Sequence, residues 1–108
     1  MESLEGKKLE EYISNSEVPV VVSFVSKNCK PCMLMQGTLD EVEKNYSGHL
    51  KMVSVDVEEY HELAKQYAVM ITPTLIIFYC GKPVLRILGY ITGRDLKVKI
   101  DEQLKVFV

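Results

Sequence analysis

From Val18 to Val25 the chain reads Val-Pro-Val-Val-Val-Ser-Phe-Val, a nearly unbroken apolar and largely β-branched run. A strand with one face in water alternates apolar and polar residues, so a run without alternation calls for cover on both faces. This predicts a buried strand in a sheet with helices on either side. The rest of the chain supplies them. Leu9, Tyr12 and Ile13 have helical spacing, ending near Asn15-Ser16. A second helix carries Met33, Leu34, Leu39 and Val42, with Gly48 expected to end it. Leu50 to Val57 reads as a strand, Tyr60 to Tyr67 as a helix and Thr74 to Tyr79 as a strand. A turn at Cys80-Gly81-Lys82-Pro83 leads into a strand from Val84 to Leu88. Thr92-Gly93-Arg94-Asp95 has the form of a capping box with Asp in place of Glu. It opens a last helix whose buried face is Leu96, Ile100 and Leu104. Met1 to Leu4 is the one place for a short extra strand ahead of the first helix. The order β-α-β-α-β-β-α after an initial helix predicts an α/β sandwich with a mixed sheet.

At 108 residues the chain suits a single domain, 1–108, able to bury roughly two thirds of its unfolded surface. A formal charge of -2 without blocks of Lys or Arg argues against a nucleic-acid partner. No apolar run approaches the ~18 residues that span a bilayer, so no membrane role is expected. The opening residues are too polar for a secretory signal, which makes a cytoplasmic location the expectation. Three cysteines give an odd count, and closely spaced cysteines in a reducing compartment point to catalysis or metal binding rather than a disulfide framework.

The informative site is Cys29-Lys30-Pro31-Cys32, between the buried strand and the following helix. A cysteine at a helix N-terminus faces unpaired N–H groups and the positive end of the helix dipole, which favour the reactive thiolate. Lys27 and Lys30 add positive charge nearby. Pro31 suits a first helical turn, where a missing N–H costs least. This pattern predicts an exchangeable disulfide, with Cys29 as the nucleophile and Cys32 as the more buried resolving thiol. Other readings of the pair stay open: two structural cysteines, a zinc site completed from Cys80, His49 and His61, or an iron–sulfur cluster shared between two copies. Cys80 is either an incidental thiol in the hairpin turn or a regulatory, dimer-forming one. His49 and His61 read as surface residues.

With these residues in place, the chain resembles the thioredoxin family over nearly its whole length. The resemblance rests on the strand–Cys29-Lys30-Pro31-Cys32–helix unit and on Met70-Ile71-Thr72-Pro73-Thr74, where Pro73 matches the family's cis-proline. Asp56-Val57-Glu58, Leu63-Ala64-Lys65-Gln66-Tyr67 and Gly89 also fall in their family positions. The resemblance implies a thioredoxin-like three-layer sandwich, a central mixed sheet flanked by helices. It implies a substrate groove of Ile71, Thr72, Pro73, Gly89 and Tyr90, in which an extended segment pairs beside Cys29. It also implies no bound cofactor beyond the redox-active Cys29–Cys32 disulfide, a monomer, protein disulfides as substrates, and a thioredoxin reductase or similar electron donor.

The chain departs from the family pattern at defined positions. Asn28 stands where a tryptophan usually precedes the first cysteine, and Lys30 replaces a glycine. Ser23 aligns with the family's buried acid and Ser54 with its lysine neighbour, so both halves of a charge pair are replaced together. Gly37 takes the place of a helix-kinking proline. Slower resolution by Cys32 is expected, together with a less reducing potential from Lys30, the missing acid and the polar Thr72. The expected activity is reduction of protein disulfides by dithiol–disulfide exchange. The alternatives are a more oxidising or glutathione-coupled exchanger, or a binding module that uses the groove beside Pro73.

Overall fold

A computed structural model describes the backbone of residues 2–3 and 8–107 and the side chains of residues 8–105. The elements are β1 (Glu2–Ser3), α1 (Leu9–Asn15), β2 (Val20–Val25), α2 (Lys30–Asn45), β3 (Lys51–Asp56), α3 (His61–Gln66), β4 (Thr74–Tyr79), β5 (Lys82–Leu88) and α4 (Gly93–Phe107). The strands form one sheet in the order β1-β3-β2-β4-β5. The apolar run is its central strand: β2 pairs parallel with β3 and antiparallel with β4. The short strand expected near the start is β1, parallel to β3 at Glu2↔Val53 and Ser3↔Ser54.

The missing alternation in β2 has the expected cause. Val20, Val22 and Phe24 pack on one face with Leu9 and Ile13 of α1 and Leu63 of α3. Val21 points to the other face, where Met35, Leu39 and Val42 of α2 meet Leu96 and Ile100 of α4. The three layers are therefore α1 and α3, the sheet, then α2 and α4. Burial of each such side chain is worth about 1.5–3 kcal/mol, and the helix layers rest on β2 together with β3 and β4, which add Met52, Leu75 and Ile77 to one face and Val53, Val55, Ile76 and Phe78 to the other.

Several boundaries differ from expectation for local reasons. β2 starts at Val20, because Pro19 has no N–H for the ladder; its carbonyl still accepts from Lys51 N at 3.0 Å. α2 ends at Asn45, and Gly48 serves a turn three residues later with φ +83°. The hairpin turn is tighter than expected. Only Cys80 and Gly81 lie between the strands, both with positive φ (53° and 81°), the geometry of a two-residue turn that follows the sheet's twist. At α4 the expected cap is present: Asp95 N–H donates to Thr92 Oγ1 at 3.2 Å.

Tyr46, the C-cap of α2, ties the two helices of one layer together. Its hydroxyl donates to Asp101 Oδ1 at 2.6 Å and lies 3.2 Å from Lys97 O, both on α4. Burial, then the hydrogen bond to the Asp101 carboxylate and its charge, push the phenol up to about 12. The folded state thus favours the neutral phenol. Its contribution is complete below the ordinary value of 10.0 and is lost as pH rises toward 12. Tyr46→Phe is expected to lower stability by about 1 kcal/mol at neutral pH. In denaturant titrations across pH, the wild-type advantage should hold to about pH 10 and shrink above it. A second test concerns Gly37, inside α2, where an added Cβ meets nothing within 4 Å. Gly37→Ala is expected to raise stability by about 1 kcal/mol, seen as a Tm increase of about 4–8 °C.

Candidate active site

The sheet gathers four chain segments at one end. Val25 pairs with Asp56, the last residues of β2 and β3, while Phe24 pairs with Thr74, the first residue of β4. Thr74 in turn pairs with Leu88 at the end of β5. The loops after β2, β3 and β5 and the loop before β4 therefore leave the sheet together. In open α/β sheets ligands bind beyond the carboxyl ends of parallel strands, and the cysteine motif lies in the first of these loops.

The turn from β2 into α2 fixes the reacting sulfurs. Asn28 takes φ +60°, a conformation that Asn adopts more readily than most residues. Cys29 then leaves in an extended conformation as the N-cap of α2, and its Sγ accepts from Cys32 N–H at 3.2 Å. Met33 N–H donates to Cys29 O at 3.2 Å. Pro31 sits in the first helical turn. Cys29 and Cys32 form a disulfide, with Cα atoms 5.2 Å apart. Cys29 is half-buried and Cys32 buried, whereas Lys27, Asn28, Lys30 and Pro31 are exposed. In the dithiol form, the N–H that now meets Cys29 Sγ faces a sulfur able to carry charge.

A second wall comes from the loop before β4. The Thr72–Pro73 peptide is cis. Gly89, at φ +79°, donates its N–H to Pro73 O at 2.8 Å, and Thr74 Oγ1 donates to Ile71 O at 2.7 Å. Ser26 Oγ lies 2.8 Å from Thr72 Oγ1, which links the cysteine loop to the proline loop across 46 residues. Around this wall the surface is apolar: Met33, Leu34, Met70, Ile71, Leu88 and Tyr90 are all exposed, Met70 at 89%. An exposed patch of this kind marks an interaction surface.

Beneath the disulfide, Ser23 and Ser54 face each other in register on β2 and β3. They line a cavity of about 160 Å³ together with Cys32, Gln36 and Leu39. Ser23 is 1% exposed, and its Oγ has no hydrogen-bond partner among the described residues. A buried hydroxyl left unpaired costs about 1–3 kcal/mol, so the position is not explained by packing alone.

A family model for thioredoxin matches residues 1–102. The chain belongs to the thioredoxin family. It is similar to chloroplastic thioredoxin Y1 of Arabidopsis thaliana, 33% identical over 108 residues, covering 95% of this chain and 63% of that protein. It is also similar to chloroplastic thioredoxin Y of Oryza sativa subsp. japonica, at 35% over 97 residues, with 90% and 58% covered. Thioredoxin 1 of a Nostoc species is 33% identical over 92 residues, with 85% and 86% covered. The chain thus spans about three fifths of the two plant relatives' length and most of the cyanobacterial one. The expected cytoplasmic location is overturned, because the plant relatives are chloroplastic by name. A polar start argues against a secretory signal and says nothing of a chloroplast.

This thioredoxin fold places the expected residues in two groups at one sheet end: Asn28, Cys29, Lys30, Pro31 and Cys32 in one loop and turn, and Ile71, Thr72, Pro73, Gly89 and Tyr90 along the other. Ser23 lies underneath, with Ser54. The remaining soft ligands stay apart: Cys80 is free and exposed in the hairpin, and His49 and His61 are exposed. Among the described residues, no group of three His, Cys, Asp or Glu side chains is placed to hold a metal, and no helix is long and apolar enough to cross a membrane. Ser26, Gln36 and Met70 were not singled out by sequence. The only signal was that Ser26 is the first polar residue after β2. With Cys29 at the helix N-cap, the Cys32→Ser, Cys80→Ser variant is expected to react with iodoacetamide near pH 6 much faster than the unfolded chain, as read by mass spectrometry. Equal rates would remove the helix terminus as the source of reactivity.

Proposed function

We propose that this chain reduces protein disulfides by dithiol–disulfide exchange. The observation that carries the proposal is the Cys29–Cys32 disulfide, with Cys29 Sγ capping α2 beside an exposed apolar wall. In the reduced chain, the Cys29 thiolate attacks one sulfur of a substrate disulfide and releases the other as a thiolate. A mixed disulfide results. Cys32, deprotonated, then attacks Cys29 Sγ, closes the intramolecular disulfide and releases the second substrate thiolate. Two electrons pass from the chain to the substrate, and a thioredoxin reductase or similar dithiol donor returns them. No further cofactor enters the scheme.

Substrate lies along Ile71, Thr72, Pro73, Gly89 and Tyr90, with Met70 and Leu88 extending the apolar contact. The bonds Gly89–Pro73 and Ser26–Thr72 hold that wall at a set place relative to the cysteine loop. Lys30 and the absence of a buried acid both favour the Cys29 thiolate, which stabilises the dithiol form and supports a less reducing potential.

The test is dithiothreitol-driven reduction of insulin. The wild-type chain should accelerate precipitation of the insulin B chain, Cys29→Ser should fall to the dithiothreitol background, and Cys32→Ser should accumulate a mixed disulfide seen on non-reducing gels. A folded wild-type chain with no rate above background would sink the proposal.

A further inference from the structure

We propose that the cavity beneath Cys32 is a water-filled proton outlet for the resolving thiol, with Ser23 and Ser54 as its positioning residues. The inference rests on the exchange reaction proposed above. Resolution requires Cys32 to lose a proton, and Cys32 is buried. None of the side chains that line the cavity carries a charge, so no carboxylate or ammonium there takes the proton. The volume of about 160 Å³ is several times the ~30 Å³ that one water occupies in the liquid. Polar partners for such water are present: Ser23, Ser54, Ser26 and Gln36 all line the space.

Ser23 supplies the second, independent observation. It lies on the α2-facing side of the central strand, next to a largely apolar layer, with Leu75 opposite it on β4 and Ser54 opposite it on β3. It is buried, and its Oγ has no partner among the described residues. A water at the closed end of the cavity satisfies it. Ser54, Val25 and Ser26 are partly buried and Met33 and Gln36 are exposed, so the space reaches solvent among these lining residues.

Cys32 Sγ–H gives its proton to cavity water, which passes it outward to solvent. The electron pair left on Cys32 Sγ forms the bond to Cys29 Sγ. The bond from Cys29 to the substrate sulfur breaks, and its pair leaves with the substrate as a thiolate that takes a proton from bulk solvent. The dithiol is oxidised and the substrate reduced.

The experiment mixes the reduced chain, in a Cys80→Ser background, with 5,5′-dithiobis(2-nitrobenzoate) in a stopped-flow instrument. Release of the first thionitrobenzoate reports attack by Cys29, and release of the second reports resolution by Cys32. Ser23→Val and Ser54→Val each replace a hydroxyl lining the cavity with bulkier apolar volume. Each is expected to slow the second phase about tenfold or more, because a thiolate that loses its solvating water is harder to form. The first phase should stay within about twofold, since Cys29 ionises at the helix N-terminus and not in the cavity. Ser23→Ala, which removes the hydroxyl and keeps the space, should slow the second phase less than Ser23→Val. A structural defect would slow both phases alike. Should Ser23→Val fail to fold by circular dichroism, Ser54→Val decides alone. A folded Val variant with a wild-type second phase overturns the outlet while leaving the exchange reaction standing. A wild-type chain that releases no second thionitrobenzoate overturns both.

Discussion

Burial of β2 on both faces is the constraint on which the rest of this molecule depends. A strand whose side chains are buried from Val20 to Phe24 and whose two edges are paired has little surface at which to do chemistry. Reactive groups are therefore confined to its ends, and its carboxyl end runs directly into α2. The change from extended to helical backbone takes place at Cys29, so one residue both finishes the strand-to-helix turn and caps the helix. A helix N-terminus has donors without intrahelical partners, and here a sulfur meets one of them. The site thus follows from a buried strand that turns, within four residues of its end at Val25, into a helix capped by a cysteine.

The groove is held by the same sheet. β4 pairs antiparallel with β2, so its first residue lies beside the last residues of β2, and the cis Thr72–Pro73 bond enters just there. Two hydrogen bonds then join segments far apart in sequence: Gly89 to Pro73 and Ser26 to Thr72. Neither is long or exposed enough to behave as a loose surface contact. Together they set the proline loop against β5 on one side and the cysteine loop on the other. The nucleophile and the surface that would receive its substrate share one rigid frame, a condition for orienting two sulfurs for in-line attack.

Legibility in the sequence followed the range of the interactions. Features decided within a few residues could be read: the covered strand, Pro31 in a first helical turn, the Thr92 cap and the turn around Gly81. So could the pairing of Ser23 with Ser54, but only through alignment to a family, because two serines thirty-one residues apart carry no signal of their own. The Ser26–Thr72 bond was not legible, since either hydroxyl alone is an ordinary loop residue. Nor was the cavity, which depends on how far α2 stands off the sheet after two side chains have shortened. Strand ends shifted by one or two residues wherever a missing N–H or a left-handed turn decided them.

The two serines act on the two sulfurs in opposite directions. Replacing a buried acid and its lysine neighbour together strands no charge, so the fold bears little cost, whereas losing either one alone would leave an unpaired ion in a low-dielectric layer. For Cys29 the change is favourable: with no carboxylate beneath it, the thiolate has one fewer negative neighbour and keeps its helix terminus. For Cys32 the change removes the group that would take its proton. Under the proposed exchange reaction, the first step would be helped and the second limited by solvent access to a buried thiol. Under the proposed outlet, water is the acceptor that an uncharged cavity admits, and the Ser23 hydroxyl, without a partner among the described residues, is where that water would stand.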